Sequence, residues 1–164
     1  MSALLPVEIV KAYDIGGIVG KTLTVDIVRR IGHGLGSLAV EQDQQAIAVG
    51  RDGRLSGPEL SAALMEGIRL AGIDTIDVGC VPTPTVYFAA HELGCQSCVA
   101  VTGSHNPPDY NGLKMVIGGE TLAGAAIQSI RQRVDGGALH HGAGQGSSAD
   151  VRSEYLRRIT ADVT

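Results

Sequence analysis

Tryptophan is absent from the 164 residues, and aromatic residues make up only 3% of them, as four Tyr and one Phe. The chain therefore lacks the stacking platforms on which single-stranded nucleic acid is held, and its core has to be built from Val, Ile, Leu and Ala. A basic surface for polyanions is missing too: 13 Lys and Arg stand against 17 Asp and Glu, for a net charge of -4. Cysteine is scarce and odd in number, with Cys80, Cys95 and Cys98 only. Three thiols give no disulfide framework and suit a reducing compartment. No apolar run reaches membrane-spanning length, and the patch MSALLPVEIVKAYD has neither the cationic start nor the long apolar stretch of a secretory signal. These absences point to a cytoplasmic globular protein with neither nucleic acid nor membrane as partner.

Several motifs fall short of the chemistry they evoke. The C-x-x-C of Cys95 and Cys98 leads into a strand rather than opening a helix, where a dipole would activate a thiol, so both read as structural. A zinc site needs a second ligand pair, and His140 and His141 have no such partner in the sequence. GHGLG at 32–36 follows no strand and lies within a helical period, so it reads as close helix packing, not as a nucleotide loop. Ser104 sits in T-G-S-H-N, without the glycine that a nucleophile elbow places two residues after its serine. No D-x-D-x-D cluster offers the carboxylates that Mg²⁺ prefers.

What remains is an alternation of strand-like and helix-like stretches. Val25, Val28, Ile31, Leu35 and Leu38 recur at helical spacing behind Thr24 as N-cap. AIAVGRD reads as a buried strand opening into a loop at 50–54. Ser56-Gly57-Pro58-Glu59 then reads as a capping box before a helix that Gly72 ends. IDTIDVG, SCVAV and LKMVIGG are strand-like, TPTVYFAAHELG is helical, and a further helix is expected from near Thr121 to Val134. Helices between strands imply parallel crossovers, whereas the short turn before LKMVIGG implies an antiparallel partner. The fold class expected is α/β: a three-layer α/β/α domain with a mixed, mostly parallel sheet. Residues 1–135 form that domain; 136–150, rich in Gly and Ser, read as a flexible segment; 151–164 read as a short helix leading to a further domain that this chain lacks.

The stretch TGSHNPPDYNGLK, 102–114, stands at a strand's carboxyl end, where open α/β sheets bind ligands. Gly103 permits unusual backbone angles and close approach, and Pro107 and Pro108 stiffen the turn that carries Ser104. His105 exchanges protons near neutrality, Asn106 fixes a neighbour or a substrate oxygen, and Lys114 returns a cation to the same edge. A second loop, GRDGRLSG, brings Arg51, Asp52 and Arg54 to another strand end. Ser and Asn also satisfy ordinary turns, but two such loops at one edge point to a phosphate or carboxylate site.

With VGRDGRLSG, VPTP and KAYDIGGIVG, that loop resembles the N-terminal domain of the α-D-phosphohexomutases of the bacterial phosphomannomutase/phosphoglucomutase type, over nearly the whole chain. The resemblance implies that Ser104 carries a phosphoryl group, passes it to a hexose monophosphate through a 1,6-bisphosphate, and binds Mg²⁺ through its phosphate. Ser104, His105 and Lys114 are then the catalytic residues; Tyr13, Asn106, Arg51, Asp52 and Arg54 bind substrate or position the loop. It further implies a phosphosugar substrate, glucose 1,6-bisphosphate as activator, and metal, sugar and phosphate contacts on remaining domains of the same enzyme. This chain alone is expected to be inactive. One departure matters: Gly16 replaces an arginine usual in the family beside Tyr13, so Gly16→Arg is expected to raise activity. The alternative reading is a stand-alone phosphate-binding or interaction domain without catalysis; a serine hydrolase is weaker, because no acid is placed to orient His105.

Overall fold

A computed structural model describes residues 4–162. The first three residues of the N-terminal patch and the last two of the expected C-terminal helix lie outside that range. Among the described residues, seven strands form one sheet: β1 (Ile15–Ile18), β2 (Ala46–Arg51), β3 (Asp74–Cys80), β4 (Cys98–Val101), β5 (Tyr110–Ile117), β6 (Glu120–Thr121) and β7 (Gly146–Ser148). Five α-helices among the described residues accompany them: α1 (Val25–Glu41), α2 (Gly57–Leu70), α3 (Thr83–Glu92), α4 (Ala125–Gly136) and α5 (Arg152–Asp162). The strand order is β1-β5-β4-β2-β3-β7, with β6 paired to β5. Strands β4, β2, β3 and β7 are mutually parallel, as helical crossovers require, and β5 runs antiparallel to β4, β1 and β6.

Alternation along the strands assigns the two faces. Ile47 and Val49 of β2, Val99 and Val101 of β4, and Leu113, Met115 and Ile117 of β5 are buried against α1, α2 and α4. Ala48, Cys98 and Ala100 point the other way, onto Val86, Ala89 and Ala90 of α3. The three layers expected from the sequence follow. Helix α1 starts at Thr24, whose hydroxyl accepts from the Ile27 N–H at 3.2 Å. The glycines of GHGLG do serve helix contact: a Cβ on Gly32 would lie 2.3 Å from the Leu64 carbonyl oxygen, and one on Gly67 1.9 Å from that of Arg29. Helices α1 and α2 meet backbone to backbone.

Three local expectations are corrected. Ser56 precedes α2, but its hydroxyl makes no capping bond; it accepts from the buried Asn111 amide at 2.8 Å and so ties α2 to β5. The helix expected from Thr121 begins at Ala125, because Gly118 and Gly119, at φ +60° and +85°, turn the chain back into β6. Strand β1, unread in the sequence, carries two glycines and pairs Gly16 with Gly112.

The Gly/Ser-rich segment after α4 differs most from expectation. Compositional bias hides that it is a strap: His140 N–H donates to the Ser37 hydroxyl at 2.9 Å, Gly142 and Gly144 bond the carbonyls of Leu70 and Arg69, and β7 extends the sheet beside β3. Its anchor is Glu41 at the end of α1, which accepts two 2.8 Å bonds from Arg133 and contacts His140 Nε2 at 2.9 Å. The hydrogen bonds of Arg133 and then His140 hold the Glu41 carboxyl down at about 2. A depressed carboxylate stabilises above its unfolded pKa and loses that contribution as pH falls through the folded one. The stability of the parent chain over Glu41→Gln should therefore be full at pH 7 and shrink between about 4.5 and 2. Urea midpoints at pH 7 and pH 3 check this, and a difference independent of pH would remove Glu41 from the role.

Candidate active site

Strands β2 and β4 lie side by side and parallel, so their carboxyl ends deliver two loops to one edge. The register with β3 slips just before Arg51, Val49 facing Asp77 and Gly50 facing Gly79, so that Val78 bulges on β3. From there Asp52 reaches across. Its Oδ2 accepts the Thr102 hydroxyl at 2.9 Å and the Gly103 N–H at 3.1 Å, while Oδ1 accepts the Arg54 N–H at 3.1 Å. The Thr102 oxygen in turn accepts the Ser104 N–H at 3.0 Å.

Arg54 completes the joint. Its Nη2 donates to the carbonyls of Ser104 at 3.1 Å and Asn106 at 2.8 Å; its Nη1 donates to those of Tyr110 at 3.0 Å and Pro107. Its Nε stands 3.4 Å from Asp52 Oδ2, and its side chain is only 15% exposed. A planar guanidinium with five donors suits this fan of oxygens, and an ammonium does not. Arg54 and Asp52 are consequently both spent on the serine loop. Arg51 turns toward β3 instead, with Nη1 3.6 Å from Asp77 Oδ1.

The loop itself inverts one expectation. The left-handed residue is Ser104, at φ +53°, not Gly103. Gly103 is needed for space: a Cβ there would lie 2.2 Å from the Arg54 guanidinium carbon. A non-glycine residue in this region costs about 1–2 kcal/mol, which the Arg54 and Asp52 bonds offset. Asn106 closes the turn, its backbone and side-chain N–H both donating to Gly103 O at 3.0 Å. Ser104 and His105 are exposed, and neither side chain is hydrogen-bonded among the described residues. The Ser104 hydroxyl is therefore a free group on a braced backbone.

Lys114 lies on β5 opposite Ala100 of β4, half-buried, with no ion-pair partner among the described residues. Its alternation places it with Tyr110 on the α3 side of the sheet, Gly112 leaving a gap between them. Tyr110 lies diagonally over Gly16: a Cβ there would be 2.1 Å from the phenol oxygen. Burial, with the Asp14 charge added, raises the Tyr110 pKa. An arginine at 16 thus requires that ring to swing aside. Tyr13 is 72% exposed, and no hydrogen bond or ring contact joins it to the serine loop among the described residues. A crevice of about 310 Å³ between the loops is lined by Asp52, Gly53, Arg54, Asn106 and Pro108. No cluster of three or more His, Cys, Asp or Glu able to hold a metal occurs among the described residues. With Asp52 engaged, the serine loop alone does not fit the oxygen shell that Mg²⁺ demands.

The sequence missed Gly103 as a space for Arg54, and Thr102 as the relay between Asp52 and Ser104. Neither leaves a signal in a single sequence, since both depend on a partner about fifty residues away.

Comparison with known proteins agrees with this geometry. A family model for the phosphoglucomutase/phosphomannomutase, alpha/beta/alpha domain I, matches residues 7–140. A phosphomannomutase/phosphoglucomutase of Pseudomonas aeruginosa is 47% identical over 159 residues, covering 97% of this chain and 34% of its own length. A phosphoglucomutase of Neisseria meningitidis serogroup B is 49% identical over 158 residues, covering 95% and 34%. The crystal structure of a phosphoglucomutase/phosphomannomutase family protein from Burkholderia thailandensis superposes with a TM-score of 0.93 at 47% identity, over 97% of this chain and 36% of that one. The chain spans about a third of the length of the curated relatives it matches. No helix among the described residues is long and apolar enough to cross a membrane.

Proposed function

Since the chain belongs to the phosphoglucomutase/phosphomannomutase family, as its α/β/α domain I, we propose that it is the phosphoserine-bearing part of a phosphohexomutase that interconverts hexose 1-phosphates and 6-phosphates through a 1,6-bisphosphate. The observation that carries this reading is Ser104: exposed, unbonded at its hydroxyl, and fixed at φ +53° by Arg54 and Asp52. Phosphoryl transfer depends on positioning and on neutralising charge at the transferring oxygens. The braced loop supplies the first; Lys114 and His105, neither of them paired among the described residues, are assigned the second, His105 also moving protons. Asn106, as a loop brace, and Arg51 stand at that edge; Tyr13 is exposed in the turn that precedes β1, whose first residue pairs with Leu113, and its part is assigned by the resemblance alone. Mg²⁺ would meet this chain through a phosphate on Ser104 and take its remaining oxygens from further domains, on which sugar recognition would also depend. The phosphoserine domain is taken as residues 1–135, with 151–164 leading onward; glucose 1,6-bisphosphate is the activator, and the chain alone is inactive.

A mass measurement tests the phosphoserine directly. A hybrid joining this chain to the remaining domains of the Pseudomonas aeruginosa relative, treated with glucose 1,6-bisphosphate, should gain a single phosphate, located on Ser104 by peptide fragmentation. An unmodified Ser104 under conditions in which the parent relative is phosphorylated would favour the non-catalytic phosphate-binding reading. In the same hybrid, Gly16→Arg is expected to raise kcat/KM by about tenfold, the worth of one charge-assisted hydrogen bond. A lower rate would mean that the seat of the Tyr110 ring on Gly16 matters more than the added cation.

A further inference from the structure

A further cavity lies at the other end of the sheet. It has a volume of about 510 Å³ and opens between α3 and the β5–β6 turn, over Cys98 where β4 begins, whereas the serine loop follows the end of the same strand. A four-residue strand separates the two by roughly 10–13 Å. Helix α3 turns one flank, Phe88 and Glu92, toward α5, through a ring contact with Tyr155 and an ion pair with Arg158. Tyr87 and His91, on its other flank, face the cavity.

Three properties of this cleft converge. Its floor is apolar, made by Ala90, Cys98 and Val116; its rim carries Tyr87, His91, Gln96 and Thr121, with no Lys, Arg, Asp or Glu. Burial pushes the Cys98 thiol up to about 12 and, with Cys98 beside it, raises the Tyr87 phenol, so both stay uncharged at neutral pH. The walls are tied together in advance: Gly119 N–H donates to Gln96 O at 2.8 Å and Gly118 N–H to Ser97 Oγ at 3.0 Å, while Ser97 donates to Gln44 at 2.8 Å. Yet the side-chain polar groups of Tyr87, Gln96 and Thr121 make no hydrogen bond among the described residues, and Gln96 holds a left-handed backbone at φ +60°. Unspent, exposed donors and acceptors over an apolar floor, on walls whose backbone is already tied, are the makings of a small-molecule site.

We infer that this cleft binds a small uncharged polyhydroxylated molecule of monosaccharide size, its apolar face on Tyr87 and its hydroxyls on Gln96 and Thr121. The absence of cationic lining turns phosphorylated sugars away from it and separates it from the serine loop. The two sites divide their ligands by charge.

Titration of the ¹⁵N-labelled 164-residue chain with methyl α-D-glucopyranoside, followed by amide shifts, tests the assignment. Saturable shifts are expected at Tyr87, Gln96, Gly118, Gly119 and Thr121, with none at 103–106; inorganic phosphate should give the converse. Tyr87→Ala and the surface variant Thr121→Val should each weaken the sugar by about three- to tenfold, the worth of one contact. Thr121→Val keeps the test open should Tyr87→Ala fail to fold. Shifts that do not saturate, that appear only at the serine loop, or that survive Thr121→Val undiminished would overturn the proposal.

Discussion

Ser104→Ala in the hybrid enzyme is expected to lower kcat by about a thousandfold or more, as loss of a covalent nucleophile does. The fold should hardly notice, because the bonds that fix residue 104 run through its N–H to Thr102 and its carbonyl to Arg54, not through the hydroxyl. Alanine keeps the cost of a left-handed backbone, so Ser104→Gly provides a companion: it removes both hydroxyl and strain, and should be as inactive while somewhat more stable. Steady-state rates and urea midpoints of the two variants separate chemistry from geometry. Retention of near-parental kcat by either would sink the phosphoserine reading.

Arg54→Ala should act by the opposite route. No atom of Arg54 is left over for an anion, but its guanidinium holds four carbonyls of the serine loop. Removing it takes a donor from each of those oxygens and the cation from beside Asp52, which keeps only its bonds to Thr102 and to backbone N–H groups, at an expected cost of about 3 kcal/mol. Amide exchange at 103–110 should lose its protection, and the hybrid's kcat should fall by about a hundredfold from misplacement of Ser104. Arg54→Lys should recover little, since one ammonium cannot span the fan of acceptors. A lysine variant with full activity would show that charge, rather than the shape of the clamp, is what the site needs.

These two cases mark what could be read from the chain alone. Periodicity and turn residues located α1 with its Thr24 cap, the helix–helix seam at Gly32, and the serine loop at a strand end, because each is written in neighbouring residues. Ser56 looked like a cap by spacing, but the buried Asn111, far away in sequence, claims its hydroxyl. Gly103 read as a place for unusual backbone angles and close approach; its φ is not positive, and what approaches is a side chain from another loop. Strand β1 escaped because Gly16 and Gly17 break the apolar alternation that marks a strand, and β7 because three small residues beside glycines carry no period at all. Arg54 was read at a strand end beside the serine loop; that its guanidinium is spent on main-chain carbonyls depends on positions that no sequence pattern records.

The clamp grips main-chain oxygens only, which divides heredity from geometry. The side chain at 105 can drift without altering the path of the backbone, because it makes none of the bonds that shape it. The conformation of the loop is instead inherited from a codon about fifty positions upstream, and a lineage can retune what the loop touches without relearning how to hold it.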